Sequence, residues 1–292
     1  RITTVVAPAG YGKSVLISAL LEKPGWPLTA WLSLDQHDID PSQLLYHLIH
    51  ALKMVVTGFG LVSLRTVGSL ESVVLDWPIA VNTIIAELPQ EQELLIILDD
   101  FHLIYENNVV CAIIEHLLRW LPANIHLVLI SRNSPQLNLY RHELECNLLE
   151  IKPEHLLFTR EETHELLELM DLNLEERVIA SIHAYTEGWA VGLRLAGILV
   201  KASQGDPERA LQSLQQDDSS LNKYLLPSLE VDLCNAAFQC QDSRLKLEQL
   251  HAFGLLSMVE GEDLTWRMHH LIAEFLQYKV EKLRPPEYIV AV

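Results

Sequence analysis

Cysteine is scarce in this chain: Cys111, Cys146, Cys234 and Cys240 are scattered, and no two form a Cys-x-x-Cys pair. Neither a zinc ribbon nor a dithiol redox motif is therefore indicated, and the four read as buried, reduced thiols. Basic residues are in deficit, with 21 Lys and Arg against 39 Asp and Glu and a formal charge of −18. A field of that sign works against wrapping DNA or adhering to an anionic membrane. Lys279, Lys282 and Arg284 form the one basic cluster, and it reads as the solvated tail of a helix. Long apolar runs are also missing. None approaches the ~18 residues of a membrane helix, and the first residues do not form a signal peptide, so a cytoplasmic protein is expected. There is no initiator methionine either; Arg1 leads directly into an apolar strand, as in a piece of a longer protein.

What is present is a globular composition, 49% hydrophobic and 21% charged over 292 residues. That length implies more than one domain, because single cores seldom grow beyond ~250 residues. The first half alternates short apolar runs with longer helical patterns, the signature of a parallel sheet covered by helices. Strands are predicted at Ile2–Val6, Leu28–Leu34, Leu94–Leu98, Ile125–Ile130 and Asn147–Ile151, each poor in charge as a strand covered on both faces should be. Asp40 and Pro41 open an amphipathic helix carrying Leu44, Leu45, Leu48, Ile49 and Leu52. A second helix carries Ile79, Ile84, Ile85 and Leu88. The glycine- and serine-rich stretch from Gly58 to Ser72 between them is expected to be a loop.

After Pro153 the strand pattern stops. Thr159-Arg160-Glu161-Glu162 presents a capping box ahead of Leu166, Leu167 and Met170, and helical patterns continue through Arg177–Tyr185 and Ala190–Val200. Ser203 to Pro207 breaks them as a turn or linker would. Beyond it, Leu255–Val259, a Glu-Gly-Glu-Asp turn and Leu264–Met268 resemble a hairpin, with a helix from Leu271 to Lys279. Helices followed by a two-stranded wing suit a small winged-helix unit. No repeat of 20 to 50 residues is evident, so a solenoid is not supported. The fold class expected is an α/β P-loop NTPase with an AAA-like parallel sheet over 1–152, then a helical domain over 153–205, a winged-helix-like domain over 206–283 and a tail at 284–292.

The chemistry concentrates at four places. Ala7-Pro8-Ala9-Gly10-Tyr11-Gly12-Lys13-Ser14, with Val15, has the form of a phosphate-binding loop that follows a strand and opens a helix. Gly10 and Gly12 let backbone N–H groups converge on phosphate oxygens; Lys13 can reach the β- and γ-phosphates, and Ser14 can ligate Mg²⁺. The ligand indicated is ATP or ADP. Leu94 to Leu98 ends in Asp99 and Asp100 at a strand terminus, where Asp99 would hold Mg²⁺ directly or through water and Asp100 would orient or deprotonate the attacking water. Arg132 follows Ser131 at the end of the next strand. It is a γ-phosphate sensor if that strand lies between the P-loop strand and the acidic strand, and otherwise a surface arginine at a helix end. His269 stands next to His270 at the opening of the last long helix, and adjacent histidines point different ways, which excludes a metal pair.

These segments, with Trp-Leu-Ser-Leu-Asp at 31–35, Leu-Asp-Asp-Phe-His at 98–102, Leu-Phe-Thr-Arg-Glu-Glu at 157–162, Thr-Glu-Gly-Trp at 186–189 and Met-His-His-Leu at 268–271, resemble the STAND-class ATPase module of the MalT-like, large LuxR-type transcriptional regulators. The resemblance runs over nearly the whole chain. It implies a switch that is closed with ADP and self-associates with ATP, hydrolysing slowly, with His269 contacting the ADP β-phosphate and Gly188 and Trp189 at the adenine side. It also implies that inducer and DNA are bound by domains absent from this chain. The chain has Ala190 where the family usually has proline. Two other readings stay open: a loader- or motor-type ATPase with rapid turnover, and a scaffold that no longer binds nucleotide.

Overall fold

A computed structural model describes residues 1–202 and two short strands within 256–268. They fall into two compact units. The first comprises Arg1–Ala7 and Lys13–Lys152, and the second comprises Pro8–Gly12 and the residues from Pro153 onward.

In the first unit the chain runs β1 (Ile2–Val6), α1 (Lys13–Leu21), β2 (Leu28–Ser33), α2 (Pro41–Val55), α3 (Leu61–Ser69), α4 (Val73–Glu87), β3 (Leu94–Asp99), α5 (Asn108–Trp120), β4 (Ile125–Ser131), α6 (Tyr140–Leu144) and β5 (Leu148–Ile151). The five strands form one parallel sheet in the order β2-β3-β4-β1-β5. The strand that carries Arg132 at its end thus lies between the P-loop strand and the acidic strand, as the sensor reading required. β3 is buried along its whole length and β4 nearly so. The edge strands are not: Leu28 is 37% and Leu149 57% exposed. Burial on both faces was expected of all five, but β2 and β5 each have a neighbour on one side only and keep side chains in solvent.

The helices over the sheet follow their patterns with two corrections. In α2, the Asp40 carboxylate accepts from the amides of Ser42 and Gln43 at 2.8 and 3.1 Å, Pro41 occupies the first turn, and the five predicted apolar residues are buried. In α4 the buried face is Ala80, Val81 and Ile84, while Ile79 is 54% exposed. Of the expected apolar residues Ile84 and Leu88 are buried and Ile85 packs against the core, so Ile79 alone of the four departs from the pattern. The second correction is α3, a helix inside the stretch expected to be a loop. Its opening amides at Val62 and Ser63 donate to the Glu87 carboxylate at 3.0 and 2.8 Å, and the Ser63 hydroxyl donates to the same group. Gly60, at φ 90°, supplies the left-handed turn before it. The cap comes from 24 residues downstream, so no local pattern announced it. Of the cysteines, Cys111 is a buried free thiol, whereas Cys146 is a free thiol exposed to solvent at a left-handed turn of φ 53° before β5.

In the second unit, α7 (Arg160–Leu169), α8 (Glu176–Thr186) and α9 (Ala190–Ala202) pack around Leu167, Ile179, Ile182, Trp189, Leu193 and Ala196. The capping box is present: Glu162 N donates to Thr159 Oγ1, and Thr159 N to the Glu162 carboxylate. Further on, β6 (Leu256–Val259) and β7 (Thr265–Met268) pair antiparallel, the hairpin read from the sequence. The expected turn at 203–207, the helix at 271–279, the cluster Lys279, Lys282 and Arg284, His269, Cys234 and Cys240 lie outside the described residues.

Candidate functional site

The C-terminal ends of three neighbouring strands bring the predicted residues of the first unit together. Ala7 directly follows β1, fully buried, with its amide on the Ser131 carbonyl at 3.3 Å. Lys13 opens α1 and is buried, its Nζ donating to the Ala7 carbonyl at 2.7 Å. Ser14 is half-buried beside it, and Val15 is 71% exposed. Asp99 is buried at the end of β3, and one of its oxygens accepts the Asp100 amide at 2.9 Å.

Asp100 adopts φ 58° and ψ 36°, left-handed and uncommon for a residue with a side chain. It begins a short 3-10 turn, Phe101–Leu103, closed by Leu103 N donating to the Asp100 carbonyl at 3.0 Å and anchored by the fully buried Phe101. Aspartate is among the residues that tolerate this conformation, at a cost of about 1 kcal/mol or more, and such strain gathers at functional sites. Arg132 is half-buried just past β4 and makes no salt bridge among the described residues.

These side chains share one electric field. Burial, and then repulsion from Arg132, bring the Lys13 ammonium down to about 8 against the pull of Asp100 and Asp99. Burial and the neighbouring Asp99 push the Asp100 carboxyl up, and Arg132 and Lys13 only partly offset them. His102 is driven to about 3 by burial, Arg132 and Lys13, so its ring is neutral. Two buried polar atoms at this edge have no hydrogen-bond partner, Ser131 Oγ and His102 Nδ1. Each forgoes about 1–3 kcal/mol relative to a satisfied group, as a site built around an absent polar ligand would. Sequence reading gave neither residue a role. His102 lies inside a quoted motif, but its meaning depends on the turn that buries it.

Two cations beside two carboxylates suit a polyphosphate and its metal. Among the described residues no group of three or more His, Cys, Asp or Glu could hold a metal alone. A site of Ser14 and Asp99 fits Mg²⁺, which takes one or two protein ligands and completes its shell with phosphate and water.

The rest of the loop belongs to the second unit. Gly10 and Gly12 sit at φ 79° and 78°, the conformation from which successive amides converge on an anion. A Cβ on Gly10 would lie 2.9 Å from Trp189 Cζ2, and the Gly10 carbonyl accepts Val191 N at 3.2 Å in the first turn of α9. Pro8 and Ala9 are half-buried, and Tyr11 packs against the helical core. Gly188 is left-handed at φ 76°, and a Cβ there would stand 2.3 Å from the Phe158 carbonyl oxygen. Packing alone therefore requires glycine at 188. His269, the remaining candidate, is not among the described residues.

A family model described as the MalT winged helix domain matches residues 224–288. Over 96% of its length the chain is 26% identical to the HTH-type transcriptional regulator MalT of Vibrio parahaemolyticus and 28% identical to that of Serratia proteamaculans. It spans 33% of each of these curated relatives. Among solved structures the fold is similar to a Walker-type ATPase of Pyrococcus abyssi, with a TM-score of 0.56, 14% identity, and coverage of 94% of this chain and 91% of that one. The MalT-like resemblance is thus borne out in sequence, and the P-loop ATPase fold in structure. Among the described residues, no helix is long and apolar enough to cross a membrane.

Proposed function

We propose that this chain is the ATP/ADP-binding switch module of a cytoplasmic LuxR-type transcriptional regulator, with slow ATP hydrolysis coupled to self-association. The nucleotide-binding domain is taken as 1–152, followed by a helical domain over 153–205 and a winged-helix unit over 206–283. The observation that carries the reading is the meeting of Lys13, Asp99, Asp100 and Arg132 at the ends of β1, β3 and β4, in one field and largely out of water.

On this reading the residues of the loop from Ala7 to Val15 cradle the phosphates, and Lys13 leaves the Ala7 carbonyl for the β- and γ-phosphate oxygens. Ser14 and Asp99 would hold Mg²⁺, which would supply charge neutralisation to the phosphates. Asp100 accepts a hydrogen bond from the attacking water and orients it, while Arg132 senses the γ-phosphate. The family resemblance further implies Gly188 on the adenine side and His269 on the ADP β-phosphate in the closed state. Inducer and DNA contacts are assigned to other parts of the protein. A group that engages only one nucleotide state supplies the differential affinity a switch needs.

Calorimetric titration with ATP and ADP tests this. Lys13→Ala loses both nucleotides, whereas Asp100→Ala keeps ATP and favours the associated form. Equal ATP and ADP affinities in the wild-type chain and in Asp100→Ala would sink the switch. Turnover above about 1 per second would point instead to a motor- or loader-type enzyme, since unassisted switches hydrolyse orders of magnitude more slowly.

A further inference from the structure

His102 has no place in the function proposed above, yet its position is unusual for a histidine. Its side chain is only 10% exposed, and Nδ1 is buried with no hydrogen-bond partner. Asp100 Oδ1 stands 3.7 Å from it, beyond hydrogen-bond range. The ring cannot move far. It stands on a three-residue turn closed by the Leu103 amide on the Asp100 carbonyl and the Ile104 amide on the Phe101 carbonyl, and Phe101 of that turn is fully buried. Asp100 is the freer partner, its side chain 48% exposed.

We propose that His102 is the positioning residue for Asp100: its ring, as the Nδ1–H tautomer, donates to Asp100 Oδ1 when nucleotide is bound and holds that carboxylate against the attacking water. The inference rests on the nucleotide reading of the site.

A neutral donor suits the task. A protonated imidazole would form an ion pair with Asp100 and lower its basicity; in the nucleotide-free site burial and the charges of Arg132 and Lys13 hold the ring down at about 3. The neutral ring orients the carboxylate and leaves its charge in place. The 3.7 Å gap is a distance that a rotation of the Asp100 side chain closes, and such contacts are commonly long before substrate tightens them. Closing it would also remove one of the two unpartnered buried polar atoms at this sheet edge.

The test combines single-turnover ATP hydrolysis, calorimetric ATP binding and ring ¹⁵N spectra of the 292-residue chain. His102→Ala slows hydrolysis by roughly tenfold to a hundredfold, the size expected for losing a hydrogen bond to a charged group, while ATP affinity changes less than about twofold. His102→Asn, whose amide nitrogen falls near the Nδ1 position, recovers most of the rate; His102→Gln, which mimics Nε2, does not. Adding His102→Ala to Asp100→Ala costs nothing further, because the histidine acts through the carboxylate. Long-range ¹H–¹⁵N spectra with Mg²⁺ and a nonhydrolysable ATP analogue give the Nδ1–H tautomer. Normal ATP binding combined with an Nε2–H tautomer, with Gln rescuing better than Asn, or with additive losses overturns the role of His102 and leaves the nucleotide reading intact. Absence of ATP binding by the wild-type chain overturns both.

Discussion

Lys13 carries opposing forces at the residue scale. Its ammonium is buried, faces Arg132, and sits at about 8 while it donates to the Ala7 carbonyl. A bound triphosphate raises that value, so above pH 8 nucleotide binding must take up a proton. Affinity is expected to be flat below about pH 7 and to fall up to tenfold per unit above about pH 8. Calorimetry in buffers of different ionisation enthalpy reads the proton directly, and proton-neutral binding at pH 9 would contradict the assignment. Asp100 yields the opposite kind of prediction. It is left-handed, partly buried and repelled by Asp99. Asn tolerates the same backbone and removes the repulsion, so Asp100→Asn should raise stability by about 0.5–1 kcal/mol in thermal melts while suppressing hydrolysis, a trade typical of strained sites.

At the element scale, α3 depends on Glu87. Burial alone would push this carboxyl up, yet hydrogen bonds from Ser63 Oγ and from the amides of Val62, Ser63 and Gly60 outweigh it and hold it below its ordinary 4.5. A carboxyl depressed on folding gives stability that is complete above its unfolded value and lost as pH falls through its folded one. Thermal melts should therefore show Glu87→Gln less stable than the wild-type chain by about 1 kcal/mol at pH 7. The difference should shrink as pH falls below about 4.5; a gap unchanged at pH 3 would show that the cap is not electrostatic.

The same element explains where the sequence was legible. Helix α2 could be read because Asp40, Pro41 and the leucines lie within a few turns of one another. Helix α3 could not, because its cap arrives from the far end of α4. The P-loop and the Asp pair announced themselves by spacing, and the sheet order placed Arg132 between them. His102 stayed silent, since a histidine two residues past an aspartate means little until the turn buries it.

At the scale of the whole molecule, a formal charge of −18 leaves Lys13 and Arg132 as a local pair of cations on an acidic chain, and the proposed nucleotide is the anion they would hold. With no concentrated basic footprint among the described residues, this chain alone should show no measurable affinity for duplex DNA at ~0.15 M salt; fluorescence anisotropy checks this, and tight salt-sensitive binding would contradict it. The most direct measurement of the central claim is mass spectrometry of the nucleotide released on denaturing the chain after incubation with ADP and Mg²⁺ and removal of the excess. The nucleotide reading predicts close to one ADP per chain and none from Lys13→Ala. A wild-type chain that releases no nucleotide, or a Lys13→Ala chain that releases as much, contradicts it.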